Sequence, residues 1–407
     1  MKVLQISPRL PYPLIDGGAV GVFKATQAAA QLGADITFVT YPETDPKITR
    51  EGVERLSQFA KVHLVGRQLP SRNSTLVRTL FKGAYPVERR MMPEMFALLR
   101  SLIAKEKFDL VHVDHAHMGK YALWLKKEYG FEYILREHNF ESLIYERFAE
   151  TQTNPVKKIL ARTHGRRLRL EETRFISEAA HVCPITHEDL KLMQGVAPNQ
   201  NYTVIPAGVD IEYFKPTDTP VDEKLVLWVG GLNWDPNRDA VEYFLHEIWP
   251  IIRAKDPSVR FEIVGDGSES VGRGVEGVQG FGRVPDIRPW LEKAAVLVVP
   301  LRVGGGMRLK ILDFFAAGKA VVTTTIGVEG NMAVDGKHLV IEDTPEVFAD
   351  ATLSLLTDQK RRNELALAGR ELVEEYYSWE KIGRAVMTIY ETMMARKAAP
   401  ISVQAEL

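Results

Sequence analysis

The sequence predicts an α/β protein of two doubly wound domains, and three observations carry that expectation. Short β-rich runs alternate with stretches of helical periodicity. The alternation lapses midway along the chain and then restarts. Each of the two series is more than 100 residues long. Alternation of this kind gives parallel sheets with helical crossovers. The 407 residues exceed one ordinary core and suit two or three domains. With 45% hydrophobic and 26% charged residues, a folded globular chain is expected.

In the first series VLQIS, DITFVT, KVHLV, FDLVHV and EYILRE read as buried strands. Stretches 19–32, 93–106 and 118–129 carry helical periodicity, and Gly33 and Gly130 stand where glycines end helices. Residues 155–174 hold seven Lys/Arg and two Glu on a helical pattern. That segment reads as a solvated charged face with Ile159, Leu160, Leu168 and Leu170 turned to the core. The competing reading is a basic helix beside an anionic lipid or a phosphorylated acceptor. The first of these is the expectation.

The single cysteine, Cys183 in HVCPI, reads as a small buried packing residue. It excludes an intrachain disulfide and is compatible with a reducing cytoplasm. The second series, KLVLWVGG, RFEIVGDG, AVLVVPL and KAVVTTT, follows a Pro-, Asp- and Thr-rich junction at 204–224. The expected domains are therefore 1–207 and 208–377. An amphipathic helix, SWEKIGRAVMTIYETMMARK, closes the chain at about 378–396, and a frayed tail follows it.

The balance of 52 Lys+Arg against 53 Asp+Glu, a net charge of -1, argues against a nucleic-acid binder. No apolar run approaches the roughly 20 residues that span a bilayer. MKVLQIS runs straight into a strand-like segment with no signal-peptide core. A cytoplasmic location follows, with peripheral contact at the inner face of the membrane left open.

Ligands of open α/β sheets collect at the carboxyl ends of the strands. Two Gly-rich strand-to-helix junctions fall there: SPRLPYPLIDGGAVG, with Gly17 and Gly18, and PLRVGGGMRLKILDFFAAGK, with Gly304, Gly305 and Gly306. Glycines let backbone N–H groups approach an anion, and a helix N-terminus adds positive potential. Neither junction fits the dinucleotide or phosphate-loop patterns, which counts against dehydrogenases and ordinary NTPases. Arg308 and Lys310 fall in the first turn of the second helix, where the macrodipole disfavours cations. An anion bound there would account for them, and a diphosphate is the natural occupant. The alternative turns both side chains to solvent, with Lys310 pairing with Asp313. In the anion reading Asp313 sits about one turn further on, placed for ribose hydroxyls, while Leu309, Leu312 and Phe315 face the core.

GGGMRLKILDFFAAGKAVVTTTIGVEG resembles the donor-site motif of glycosyltransferase family 4, the large retaining family of GT-B fold. The resemblance extends over nearly the whole chain. It takes in the opening strand with its GG loop, VIPAGVDIEYFKP, LWVGGLNWDPNRDAVEYF, GFGRVPDIRPWLEKAAVLVVPLRVGGG and the closing helix, which in this fold crosses back to the first domain. It implies donor binding by the second domain and chemistry in a cleft between the two. Arg308 and Lys310, helped by Gly305 and Gly306, would grip the nucleotide diphosphate. Asp313 falls at the second Glu of the family's E-x7-E motif, the ribose ligand. The backbone from Gly282 to Val284 would frame the base, and Gly17 and Gly18 would approach from the opposite wall. His138, in LREHNFES, matches a position beside the transferring sugar, where it would help stabilise charge at the reacting centre. A structural histidine capping a strand end is the plainer reading. Asn139 and Glu141 are weaker candidates. His115 and His117 would line the acceptor side; they look like a metal pair, but no third ligand stands at suitable spacing, so no metal is expected.

Three departures from the family pattern stand out. Gly305 replaces the first Glu of the motif, Asp313 is shorter than the second, and Gly231 and Pro236 occupy places where the family often has Arg and Lys. A branch with GGG-x-R-x-K and W-x-PN segments shares these features, which points to a variant donor site. The resemblance thus implies a metal-independent, retaining hexosyltransferase that uses a nucleoside diphosphate sugar as co-substrate and no cofactor. Its place would be polysaccharide or glycoconjugate synthesis. The acceptor is unidentified, lipid-linked or phosphorylated if the basic segment bears on it. Two other assignments stay open. One is a different GT-B enzyme, an epimerase or sugar phosphorylase. The other is a non-catalytic nucleotide-sugar-binding or scaffolding subunit, which loss of the first Glu would suit.

Overall fold

A computed structural model describes residues 1–398 apart from 15, 67, 72, 73, 76–78, 80–82, 153 and 305. The chain forms two compact units, one of Met1–Ala207 with the chain from Ile382 on, the other of Gly208–Lys381.

The first unit holds a six-stranded sheet of β1 (Lys2–Ile6), β2 (Asp35–Thr40), β3 (Lys61–Leu64), β4 (Leu110–Asp114), β5 (Tyr133–Glu137) and β6 (His181–Pro184). The order is β3-β2-β1-β4-β5-β6 with every pairing parallel. Helices cover both faces of such a sheet, so its central strands are buried even where they carry polar residues such as His112, Asp114, Arg136 and Glu137. β4 and β5 are buried at every position. β6 is the apolar HVCPI segment, and Cys183 is a buried packing residue within it. Helix α1 (Gly17–Gln31) follows β1; α2 (Glu141–Thr151) and α3 (Pro155–Glu178) form a hairpin after β5.

The second unit holds β7 (Asp222–Val229), β8 (Arg260–Val264), β9 (Val278–Gly282), β10 (Ala294–Val299), β11 (Ala320–Thr323) and β12 (Val340–Ile341), again all parallel, ordered β12-β11-β10-β7-β8-β9. Helix α4 (Asp235–Tyr243) follows β7, and α5 (Leu309–Ala316) follows β10. β9 and β12 escape the sequence reading because VQGFG is glycine-broken and β12 is two residues long. The final helix, α6 (Trp379–Ala398), packs into the first unit from Ile382 on. There Tyr390 Oη lies 2.5 Å from His112 Nδ1, and Gly383 lets the helix rest on Ala28, since a Cβ would come within 2.8 Å of it.

Three local expectations need correction. Gly17 and Gly18 lie inside the first turn of α1, because the Asp16 carboxylate caps the helix by accepting from the Ala19 N–H at 2.9 Å. Arg308 is the N-cap of α5, one residue outside its first turn, whereas Lys310 lies within that turn. The basic helix turns a different face inward than expected. Leu168 is buried, but Ile159 and Leu170 are 64% and 76% exposed. Its inner stripe is Ala161, His164, Gly165, Leu168, Glu172 and Phe175, set by close packing on α2. A Cβ on Gly165 would stand 3.2 Å from that of Tyr145.

Candidate functional site

In the second unit the candidate residues gather where β7, β9 and β10 end. Arg308 is nearly buried, donates from Nη1 to the Gly306 carbonyl at 3.0 Å, and has its guanidinium 5.9 Å from the centre of the Trp234 ring. Gly304 and Gly306 have φ of 150° and 75°, which L side chains rarely adopt, and a Cβ on Gly304 would strike the Arg308 guanidinium. Gly305 lies outside the described residues.

Lys310 does not pair with Asp313. Its Nζ donates to Asn237 Oδ1 at 3.2 Å and sits 3.8 Å from the centre of the Trp228 ring. Gly230, at φ 152°, makes the room, because a Cβ there would lie 2.7 Å from Nζ. Gly231 contributes its carbonyl, which accepts from Asn237 Nδ2 at 2.8 Å. Burial, then the charge of Arg308, pulls the Lys310 ammonium down to about 7. Burial, then Asp210, pushes the Asp313 carboxyl up to about 7. Both groups therefore stand near neutrality's midpoint, where a bound polar ligand tips their ionisation.

Gly282 ends β9 at φ 71°, where a Cβ would strike the Glu269 carboxylate. Its N–H donates to Ser268 Oγ at 2.9 Å and its carbonyl accepts from Gly265 N at 2.8 Å. Val284 follows, half-buried against the core.

In the first unit a second cluster forms at the ends of β4 and β5. His138 stacks on His115 with ring centres 4.1 Å apart, and His115 lies 5.7 Å from His117, nearly parallel to it. His115 has φ 64°, the one positive φ on a non-glycine among the described residues. Such strain is held by its surroundings; its N–H donates to Arg136 O at 2.8 Å and the next N–H, of Ala116, to Glu137 Oε2 at 2.9 Å. Gly21 on α1 faces His138; a Cβ there would be 3.4 Å from Cε1. Burial first, then His115 and Arg136, holds the His138 imidazole well below its ordinary range, so it is neutral at pH 7. Its buried Nε2 has no hydrogen-bond partner among the described residues.

Glu141 lies between the other two histidines, 3.6 Å from His115 Nδ1 and 3.5 Å from His117 Nε2. Burial raises its carboxyl, but the two imidazoles outweigh that and hold it below the usual range, while burial lowers His117 to about 4. Beneath it Glu172 accepts the N–H of Glu141 at 2.6 Å, and burial pushes Glu172 up to about 7. Glu141 is the third group that sequence spacing did not reveal: ligand atoms of His115, His117 and Glu141 all lie within 4.8 Å of one another and could hold a metal ion. Asn139 is half-buried in the turn between β5 and α2. Gly17 is exposed at the start of α1, and Gly18 abuts the Arg9–Asp16 ion pair.

The sequence reading did not single out Asn237, Gly230 or Gly21. WDPN and the glycine after LWV marked their neighbourhood, but the contacts join residues 73 positions apart in one case and 117 in another, which no local pattern reveals.

Residues 15–213 match the family described as Glycosyltransferase Family 4, and residues 223–358 match Glycosyl transferases group 1. An MMP alpha-(1->4)-mannosyltransferase of Mycolicibacterium hassiacum is 23% identical over 94% of this chain and 96% of its own length. A GDP-mannose-dependent monoacylated alpha-(1-6)-phosphatidylinositol monomannoside mannosyltransferase of Corynebacterium glutamicum is 27% identical over 46% of this chain and 55% of its own. Among solved structures, sucrose-phosphate synthase from Thermosynechococcus elongatus superposes with a TM-score of 0.71 at 17% identity, covering 97% of this chain and all of that one.

Proposed function

The chain belongs to glycosyltransferase family 4 and is built on the GT-B fold, and from that premise we propose that it transfers a hexose, with retention, from a nucleoside diphosphate sugar to an acceptor hydroxyl. One observation carries the donor assignment: Arg308 and Lys310 stand together at the N-terminus of α5 among glycines that leave the backbone open. Lys310 is held near neutrality, and a diphosphate would restore its full charge.

As the donor bond breaks, negative charge grows on the leaving diphosphate and the sugar becomes oxocarbenium-like. Arg308, Lys310 and the first N–H groups of α5 stabilise the leaving charge without a metal ion. Asp313 accepts from ribose hydroxyls, and the backbone at Gly282 and Val284 borders the base. His138, neutral and with its Nε2 lacking a hydrogen-bond partner among the described residues, hydrogen-bonds a hydroxyl of the transferring sugar. The acceptor attacks from the face the leaving group vacates, and a leaving phosphate oxygen takes its proton. His115, His117 and Asn139 contact the acceptor. The name of the GDP-mannose-dependent relative of Corynebacterium glutamicum supports a sugar nucleotide as donor.

The test incubates the protein with UDP-, GDP-, ADP- and dTDP-sugars and measures binding and diphosphate release. One preferred donor, its turnover lost in Arg308→Ala, is the expected result. Absence of binding to every donor in a folded sample would sink the assignment.

A further inference from the structure

The α2–α3 hairpin carries a surface that the transferase reading does not use. Along α3 the outward positions follow helical spacing and hold Val156, Ile159 and Leu170, exposed by 64%, 64% and 76%, interleaved with exposed Arg162, Arg166 and Arg174. On α2, Ile144 and Phe148 are 47% and 51% exposed one turn apart, with exposed Arg147 between them. Scattered exposed apolar residues are ordinary on a protein surface. Five on one hairpin, with exposed arginines interleaved along both helices, are a concentration that ordinary scatter does not give.

The charge on this face is one-sided. Glu146 is taken by Arg169 at 2.7 Å and the half-buried Glu171 by Lys120 at 3.0 Å, and the exposed acids are Glu150 on α2 and Glu178 at the far end of α3, 3.5 Å from Lys126. The helix cannot turn the apolar residues inward, because its other face is locked by Gly165, Leu168 and Phe175 and by Glu172 under the start of α2.

We propose that this face docks on an anionic lipid bilayer, lying in the plane of the interface. Guanidinium groups would meet lipid phosphates while Ile144, Phe148, Val156, Ile159 and Leu170 enter the acyl boundary. A nucleic acid would use the cations but leave the apolar side chains wet. A second copy of the chain would set like charges against each other. The argument stands apart from the donor chemistry. One consequence rests on the acceptor role proposed above: α2 starts at Glu141, about one turn before Ile144, so docking brings the histidine cluster close to the membrane interface.

The experiment floats the full chain with vesicles of phosphatidylcholine alone and of phosphatidylcholine with phosphatidylglycerol. Binding to the anionic vesicles only, weakened by salt, is expected. Arg162→Gln with Arg166→Gln lowers partitioning about thirty-fold, from about 1 kcal/mol per cation near the surface. Ile159→Ser with Leu170→Ser abolishes the part of binding that survives salt. Circular dichroism checks that both variants remain folded. No wild-type flotation, equal flotation with both vesicles, or undiminished binding by both variants overturns the proposal. Diphosphate release in vesicle-free solution, unchanged in both variants, reads the transferase assignment separately.

Discussion

Two sheets of the same build carry opposite electrostatics at their carboxyl edges. In the second unit two half-buried or buried cations, Arg308 and Lys310, stand among glycines and tryptophans with Asp313 held up to about 7. In the first unit His138 and His117 are depressed by burial, the carboxylate of Glu141 lies between His115 and His117, and Glu137 and Glu172 are raised beneath it. The first arrangement suits a polyanion, which repays the cost of crowding cations in a partly dry site. The second suits uncharged hydroxyls, which pair with neutral imidazoles and carboxylates alike. The same fold thus sorts its ligands by the few charges placed at its strand ends.

The largest effect that would sharpen this contrast is Arg308→Ala. Losing one preorganised donor to a developing oxyanion costs about 10²–10³ in turnover. Diphosphate release under saturating donor measures it, and unchanged turnover would remove leaving-group stabilisation from Arg308.

Next comes Gly230→Ala. The methyl group collides with Lys310 Nζ, and φ 152° is strained for alanine, so donor affinity falls about tenfold while the fold loses roughly 1–2 kcal/mol. Titration calorimetry and thermal unfolding read the two separately. An unaltered donor Kd would mean Lys310 is not at the diphosphate.

His138→Ala tests the neutral cluster. Removing one hydrogen bond to the sugar should lower kcat about tenfold, with the donor Kd close to that of the wild type. A large change in Kd would show that the contrast between the two sites is misdrawn.

The pH dependence follows from Lys310. Its folded value of about 7 lies below the ordinary 10.5, so the free protein sheds this proton as pH rises through 7. Diphosphate binding favours the charged form, hence donor affinity falls above about pH 7 and binding takes up a proton. Asp313, also at about 7, titrates with the opposite sense for accepting hydroxyls, so the measurement is made in Asp313→Asn. A flat profile there would contradict the assignment. In the absence of ligand, the depressed Lys310 makes stability rise between about pH 7 and 10.

The smallest expected effect is that of chelation. Turnover should be unchanged by EDTA. Loss of activity, restored by zinc with stoichiometric metal on the protein, would turn His115, His117 and Glu141 into a metal site and overturn metal-free transfer.

Much of this was legible beforehand. Parallel strands announce themselves as short apolar runs, so β1 to β5, β7, β8, β10 and β11 were readable, although β3, at the sheet edge, has no buried residue where a buried strand was expected; the glycine-broken β9 and the two-residue β12 were not readable. Arg308 and Lys310 were readable because they break a local rule at a helix start. The face of α3 was misjudged, since hydrophobicity alone pointed Ile159 and Leu170 inward and the decision belonged to Gly165 packing under α2.

The sequence by itself determined the alternating α/β architecture, the Gly-rich junctions and the identity of the cations, because periodicity, glycine and charge act over a few neighbouring residues. Tertiary structure alone decided that Lys310 rests on Trp228 and Asn237, that Glu141 joins His115 and His117, and that Arg162 and Ile159 share an outward face. Those outcomes depend on which chain segments compete for the same buried space, and that competition is settled only when the sheets and helices pack.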